Sequence, residues 1–155
     1  MWTRNKLTVK QRFEDVYEFE GLSIEQTLDT EPPSCVYDAA IVMSKFIAKN
    51  VDINAKTVVE LGAGCGFTAC QISKSQQDGD CKIIATDVDS VVPLISRNIS
   101  RNCLESRVKA MPLFWGNLEH LSAVKTEAGP SIDLVFGADI LFDFEHFDGL
   151  CDIFD

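Results

Sequence analysis

Residues 58–70 read VVELGAGCGFTAC, an apolar run that passes directly into a glycine-rich turn and then into helix-forming residues. No other stretch limits the fold so strongly. A strand with no polar face must be covered on both sides, which is the condition of a parallel sheet lying between layers of helices. The pattern recurs down the chain. "CKIIAT" (81–86), "RVKAMPLFW" (107–115) and "SIDLVFGAD" (131–139) read as further buried strands. "GFTACQISKSQ" (66–76) and "SVVPLISRNISRN" (90–102) read as helices between them, with Pro93 in a first turn where its missing N–H costs little. "QDGD" (77–80) reads as a turn, "GNLEHLSAV" (116–124) as a short helix or loop, and "FEHFDGLCDIF" (144–154) as the start of another helix. Pro112 removes a ladder donor from the third strand and assigns it to a sheet edge.

Strands alternating with helices predict an α/β three-layer sandwich with right-handed crossovers. The first strand of the repeat then lies inside the sheet, in the order 3-2-1-4, and a ligand sits beyond the carboxyl ends of the strands. Ahead of this core, residues 16–28 alternate loosely around Gly21 and read as a hairpin. "TEPPS" (30–34) is a breaker, and residues 36–50 form a helix that places Ala39, Val42, Met43, Phe46 and Ile47 on one face. The expected organisation is one domain over 1–155, with residues 1–35 as an N-terminal extension and 36–155 as a Rossmann-like core.

Composition narrows the function classes. The chain carries 24 acidic against 14 basic residues and a net charge of −10, with no basic patch, which argues against a nucleic-acid partner and suits a basic protein partner. No apolar run approaches the roughly 18 residues of a membrane span, so no membrane partner is expected. Six scattered cysteines without a CxxC pair, and only 2 histidines, point away from zinc and toward reduced thiols in the cytoplasm or nucleus. No metal is expected; Cys65 and Cys70 read as small apolar filler.

The turn itself discriminates between cofactors. A nicotinamide fingerprint requires G-x-G-x-x-G, and here Phe67 occupies the third glycine position while a glycine falls at 66. No GK[ST] follows, so a P-loop is excluded. The resulting E-x-G-x-G-x-G pattern from Glu60 suits a cofactor without a pyrophosphate. Gly62 and Gly64 would allow close backbone approach, and the acidic Glu60 suits a cationic amino group. Asp87, in "ATDVD", lies one helix and one strand beyond the turn, where a carboxylate can accept from both ribose hydroxyls. An adenosyl cofactor with a positively charged amino-acid tail, S-adenosyl-L-methionine, satisfies all of these demands.

The segments "VYEFEGLSI", "VYDAAIVMSKFI", "VVELGAGCG", "ATDVD", "FWGN" and "DLVFGADILF" occur in an order that resembles methyltransferase family sixteen. That is the class I, seven-β-strand group containing protein-lysine methyltransferases of chaperones and translation elongation factors. The resemblance covers about residues 16–145, and its most specific parts are the WG pair and the GAD-x-x-aromatic segment. It implies that Gly62, Ala63 and Gly64 line the methionine and ribose part of the cofactor and that Asp87 holds the ribose. Trp115 would pack near the adenine and Ala138 against the cofactor. The family's D/E-x-x-Y/F motif falls on Asp139 and Phe142, where a carboxylate and an aromatic ring can orient an incoming amine.

Tyr37 departs from this pattern, standing in "VYDAA" where the family usually has Trp near the methionine end. The sequence also provides four strands where the family's sheet has seven, so the fourth would be an exposed edge, open to a covering partner. The expected function is therefore transfer of a methyl group to a protein lysine, with Asp139 and Phe142 at the substrate mouth. Two other readings stand beside it: a cofactor-binding but inactive interaction module, and a methyltransferase for a small molecule, arginine or histidine.

Overall fold

The structure is a computed structural model that describes residues 15–27, 34–76, 80–141 and 144–154. The breaker at 30–33, most of the turn at 77–80, and Phe142 lie outside the described residues.

The first described element is a hairpin of β1 (Val16–Phe19) and β2 (Leu22–Glu25), paired antiparallel with Phe19 opposite Leu22. Its two-residue turn, Glu20–Gly21, has both φ values positive (47° and 80°), the twist that suits a tight hairpin. Helix α1 (Asp38–Asn50) follows. The sheet is then built from β3 (Thr57–Leu61), β4 (Lys82–Asp87), β5 (Val108–Pro112) and β6 (Leu134–Gly137). Between them lie α2 (Phe67–Ser75), α3 (Val92–Arg101) and α4 (Leu118–Ala128); a 3-10 turn (Phe144–His146) and α5 (Phe147–Cys151) come last.

The strand order is β5-β4-β3-β6 and every pairing is parallel, which is the order expected from the apolar runs. Adjacent strand residues point to opposite faces, and here both faces are buried. Val58 and Ile83 join a core with the hairpin, α1, α2 and α3, whereas Val59 and Ile84 join a second core with Val124 of α4 and Leu150 of α5. Val58, Leu61, Ile83 and Ile84 are fully buried. Each contributes about 1.5–3 kcal/mol relative to an exposed position.

Several boundaries differ from the sequence expectation. β5 ends at Pro112; the Leu113 N–H still donates to the Asp87 carbonyl at 2.7 Å, after which the chain leaves the sheet toward the site. β6 spans Leu134–Gly137 rather than 131–139. The segment after Trp115 is a full helix, α4, capped by Asn117, whose side chain accepts from the N–H groups of Glu119 and His120. The buried face of α1 is only partly the one expected. Ser44 and Ile47 are buried and Met43 is half-buried, while Val42 (68% exposed) and Phe46 (56%) face outward. Apolar residues at helical spacing occupy both sides of α1, so periodicity alone could not choose between them.

Candidate functional site

The carboxyl ends of β3, β4 and β6, and the residues that follow β5, surround one cavity of about 500 Å³, within the usual range for a small-molecule site. Tyr37, Glu60, Gly62, Ala63, Gly64 and Asp87 line it, and so do Trp115, Ala138 and Asp139. Thus the structure brings the residues singled out from the sequence to one place. Phe142 alone among them lies outside the described residues.

The floor is the turn between β3 and α2. The Ala63 N–H donates to the Thr86 carbonyl at 2.9 Å, which carries the β3–β4 ladder one step past the end of the sheet. The Gly66 N–H then donates to the Ala63 carbonyl at 2.8 Å and closes the turn. Gly64 has a φ of +56°, and a Cβ placed on it would meet no atom within 4 Å. The empty space beyond Gly64 is the cavity. Gly66 has a φ of +79° for a different reason, because a Cβ there would stand 2.9 Å from Cγ2 of Ile95. One glycine keeps room for a ligand and the other lets α3 approach.

Asp87 ends β4 with its carboxylate turned back to the turn. Oδ2 accepts from the Gly64 N–H at 2.7 Å, and Oδ1 accepts from the Val88 N–H at 2.8 Å. Burial raises the Asp87 pKa, and these two donors oppose the shift. A carboxylate has about four acceptor positions. Two are used by backbone, so acceptor capacity remains on the cavity side.

Glu60 is fully enclosed in the cavity wall, and burial pushes its carboxyl up to about 8. Hydrogen bonds from Thr68 and from the Ala69 N–H oppose that rise, the latter at 3.1 Å, while the Asp87 charge adds to it. Gly66 opens α2 without a side-chain cap, so Glu60 supplies the missing acceptor from the adjacent strand. The sequence reading gave Glu60 only a ligand-facing task.

The rim holds the other predicted residues. Trp115 is half-buried and its ring lies beside Gly62, with Cζ2 3.6 Å from where a Gly62 Cβ would be. Asp139 is exposed and has a φ of +60°, a conformation that asparagine and aspartate tolerate best among side-chain-bearing residues. Strain of this kind gathers at functional positions. Burial, then the neighbouring Cys35, pushes the Tyr37 phenol up to about 12. Burial also raises the Cys65 thiol to about 12, in keeping with an unreactive packing role.

Sequence reasoning missed several lining residues, Ile140 and His146 among them. Ile140 folds back over the ends of β3 and β6, so close that a Cβ on Gly137 would stand 2.6 Å from its Cδ1. No local pattern distinguishes this isoleucine from a core residue. His146 lines the cavity and meets Phe114 edge-on at 5.2 Å. Its rarity, as one of only 2 histidines, was the available signal.

A parallel sheet with a glycine turn after an inner strand, an aspartate ending the next, and a cavity across both defines the class I methyltransferase fold. A solved O-methyltransferase from Bacillus cereus, crystallised with SAH, shares it with a TM-score of 0.51 at 19% identity, over 67% of this chain and 46% of that one. The sequence profile of the lysine methyltransferase family matches residues 17–155, and the chain belongs to that family. Among curated relatives, mouse EEF1A lysine methyltransferase 3 is 34% identical over 109 residues, 69% of this chain and 43% of that protein. Human electron transfer flavoprotein beta subunit lysine methyltransferase is 31% identical over 70% of this chain and 37% of its own length. The zebrafish (Danio rerio) protein N-lysine methyltransferase METTL21A is 32% identical over 74% and 50%. The chain spans half or less of the length of these relatives.

Proposed function

We propose that this chain is the cofactor-binding part of an S-adenosylmethionine-dependent methyltransferase that modifies a lysine side chain of a protein. The observation that carries this reading is the open space above Gly64, bounded by the Asp87 carboxylate and the Trp115 ring. These residues fit the cofactor: a turn that a single Cβ would obstruct, a carboxylate with free acceptor positions for a ribose, and an aromatic face for a base.

In this reading Gly62, Ala63 and Gly64 lie along the ribose and methionine part, Asp87 accepts from the ribose hydroxyls, and Trp115 packs near the adenine. Tyr37 and Ala138 narrow the cavity at the reacting end, and Glu60 fixes the start of α2 beneath it. When bound, S-adenosylmethionine supplies a methyl group on a sulfonium, which a neutral amine takes as its nitrogen–carbon bond forms and the carbon–sulfur bond breaks. What the chain contributes is alignment of the two groups and exclusion of water. Asp139, at the exposed rim, accepts a hydrogen bond from the incoming amine and orients it.

Proteins of the kind named for the relatives, including a translation elongation factor, are the first substrates to assay, with chaperones after them. A cytoplasmic or nuclear location goes with this reading, supported by the buried Cys35, Cys65, Cys70 and Cys81, none of which forms a disulfide among the described residues. The test has two parts. Calorimetry with S-adenosylmethionine should give saturable binding, and isotope-labelled cofactor with a cell lysate should label a protein band. Absence of binding, or label only in small molecules, would overturn the proposal.

A further inference from the structure

Asn98 of α3 and Asn102 at the C-cap of the same helix both reach the hairpin. The Asn98 Oδ1 accepts from the Glu25 N–H at 2.7 Å, and its Nδ2 donates to the Glu25 carbonyl at 2.8 Å. Asn102 repeats the exchange two residues back, accepting from the Ser23 N–H at 3.0 Å and donating to its carbonyl at 2.9 Å. The register pairs Phe19 with Leu22 and Tyr17 with Ile24, so the N–H and C=O groups of Ser23 and Glu25 turn away from β1. A side-chain amide offers the same acceptor and donor as a peptide group. Four residues of helix rise about 6.0 Å and two residues of strand span about 6.8 Å, so amides one turn apart match alternate strand residues. The helix thus takes the place of a third strand along β2. Arg97 and Arg101 close the same contact on the Glu25 carboxylate at 2.7 Å and 3.5 Å.

Asn98 does one thing more. Its second amide hydrogen donates to the carbonyl of Cys65, at 2.8 Å, inside the glycine turn between Gly64 and Gly66. Asn98 is fully buried, and both of its side-chain polar atoms are hydrogen-bonded. Asn102 makes no such contact with the turn; its remaining bond goes to the Asn98 carbonyl. The hairpin also reaches the turn's far end, where Tyr17 and Phe19 meet the Phe67 ring edge-on at 6.0 Å and 5.4 Å.

We propose that Asn98 is a positioning residue for the cofactor site: it fixes the Cys65 carbonyl, and with it the Gly64–Gly66 turn, to the docked hairpin. Cofactor affinity then depends on the Asn98 bridge itself, which keeps its own bonds to Glu25 and Cys65 when the neighbouring Asn102 contact is loosened. This inference rests on the cavity being the S-adenosylmethionine site. Asn102 provides an internal control, because it holds the hairpin through an equivalent pair of bonds but does not touch the turn.

The experiment compares Asn98→Asp with Asn102→Asp, using calorimetry with S-adenosylmethionine and hydrogen–deuterium exchange. At neutral pH each carboxylate keeps the acceptor for the strand N–H and loses the donors. Asn102→Asp should speed exchange in the hairpin only and leave the dissociation constant within about twofold. Asn98→Asp should speed exchange in both the hairpin and residues 62–66, and weaken cofactor binding by about tenfold, because the buried Cys65 carbonyl loses its donor. If Asn98→Asp does not fold, the uncharged Asn98→Ser is read in the same way. Equal effects of the two substitutions on the turn and on affinity would overturn the proposal. If the unsubstituted chain binds no cofactor, the functional reading fails, and exchange at 62–66 still decides whether Asn98 holds the turn.

Discussion

Substituting Gly64 separates a ligand-facing turn from a merely structural one. An alanine at a φ of +56° carries left-handed strain of about 1–2 kcal/mol. The stiffer unfolded chain returns about 0.4–1 kcal/mol of that. No protein atom lies within 4 Å of the new Cβ, so no steric term is added in the free protein. The net cost is about 1 kcal/mol, which for a domain of this size lowers Tm by about 2–4 °C. Binding should suffer more. The methyl enters the space a ligand must fill, and one misplaced methyl in a packed site costs about 1–3 kcal/mol, or roughly 5-fold to 150-fold in Kd. Gly66→Ala should show the opposite balance. Its Cβ would stand 2.9 Å from Ile95, so Tm falls further, while the change faces α3 rather than the cavity. Differential scanning fluorimetry and calorimetry with S-adenosylmethionine measure both quantities. Unchanged affinity in a folded Gly64→Ala variant would refute the reasoning, because the space beyond that residue would then not be the ligand's.

Asp87→Asn keeps the shape of the side chain but sets an amide against the Gly64 and Val88 N–H donors, so cofactor affinity should drop roughly tenfold to a hundredfold by calorimetry. An unaltered Kd would remove Asp87 from the ribose assignment. Asp139→Asn should leave cofactor affinity unchanged and slow methyl transfer by roughly tenfold to a hundredfold; full turnover would show that the rim carboxylate does not handle the amine. The Glu60 carboxyl titrates near 8 when folded against a usual 4.5, so the stability it contributes is full below about pH 4.5 and is lost as pH rises through 8. Glu60→Gln should therefore flatten Tm against pH between 5 and 8 relative to the unsubstituted chain. Parallel curves for the two proteins would mean that the group is not buried as described.

Much of the fold was legible because it rests on local chemistry. Each inner strand carries apolar residues on both faces, and that alone demands two covering layers, as Val58 and Val59 show by joining different cores. The glycine spacing after Glu60 and the aspartate at 87 follow from how closely a backbone must approach a ligand. Those residues do meet at one cavity. The sequence could also place Pro112 at an edge, because a missing N–H has the same consequence in any sheet.

Other features depended on tertiary contact. Which side of α1 is buried was undecidable from its pattern, since Val42 and Phe46 are as apolar as Ile47 and only the position of α2 distinguishes them. Sequence alone assigned Glu60 a task toward the ligand, and only the packing revealed a second one, at the uncapped start of α2. Ile140 and Asn98 are far in sequence from the turn they touch, and neither spacing nor composition marks them. A sequence specifies periodicity, backbone permission and charge, which act over a few residues. Which side chain ends beside which carbonyl is set by how the layers close on one another, and Asn98 reaches Cys65 only because α3 and the hairpin dock on the same side of the sheet.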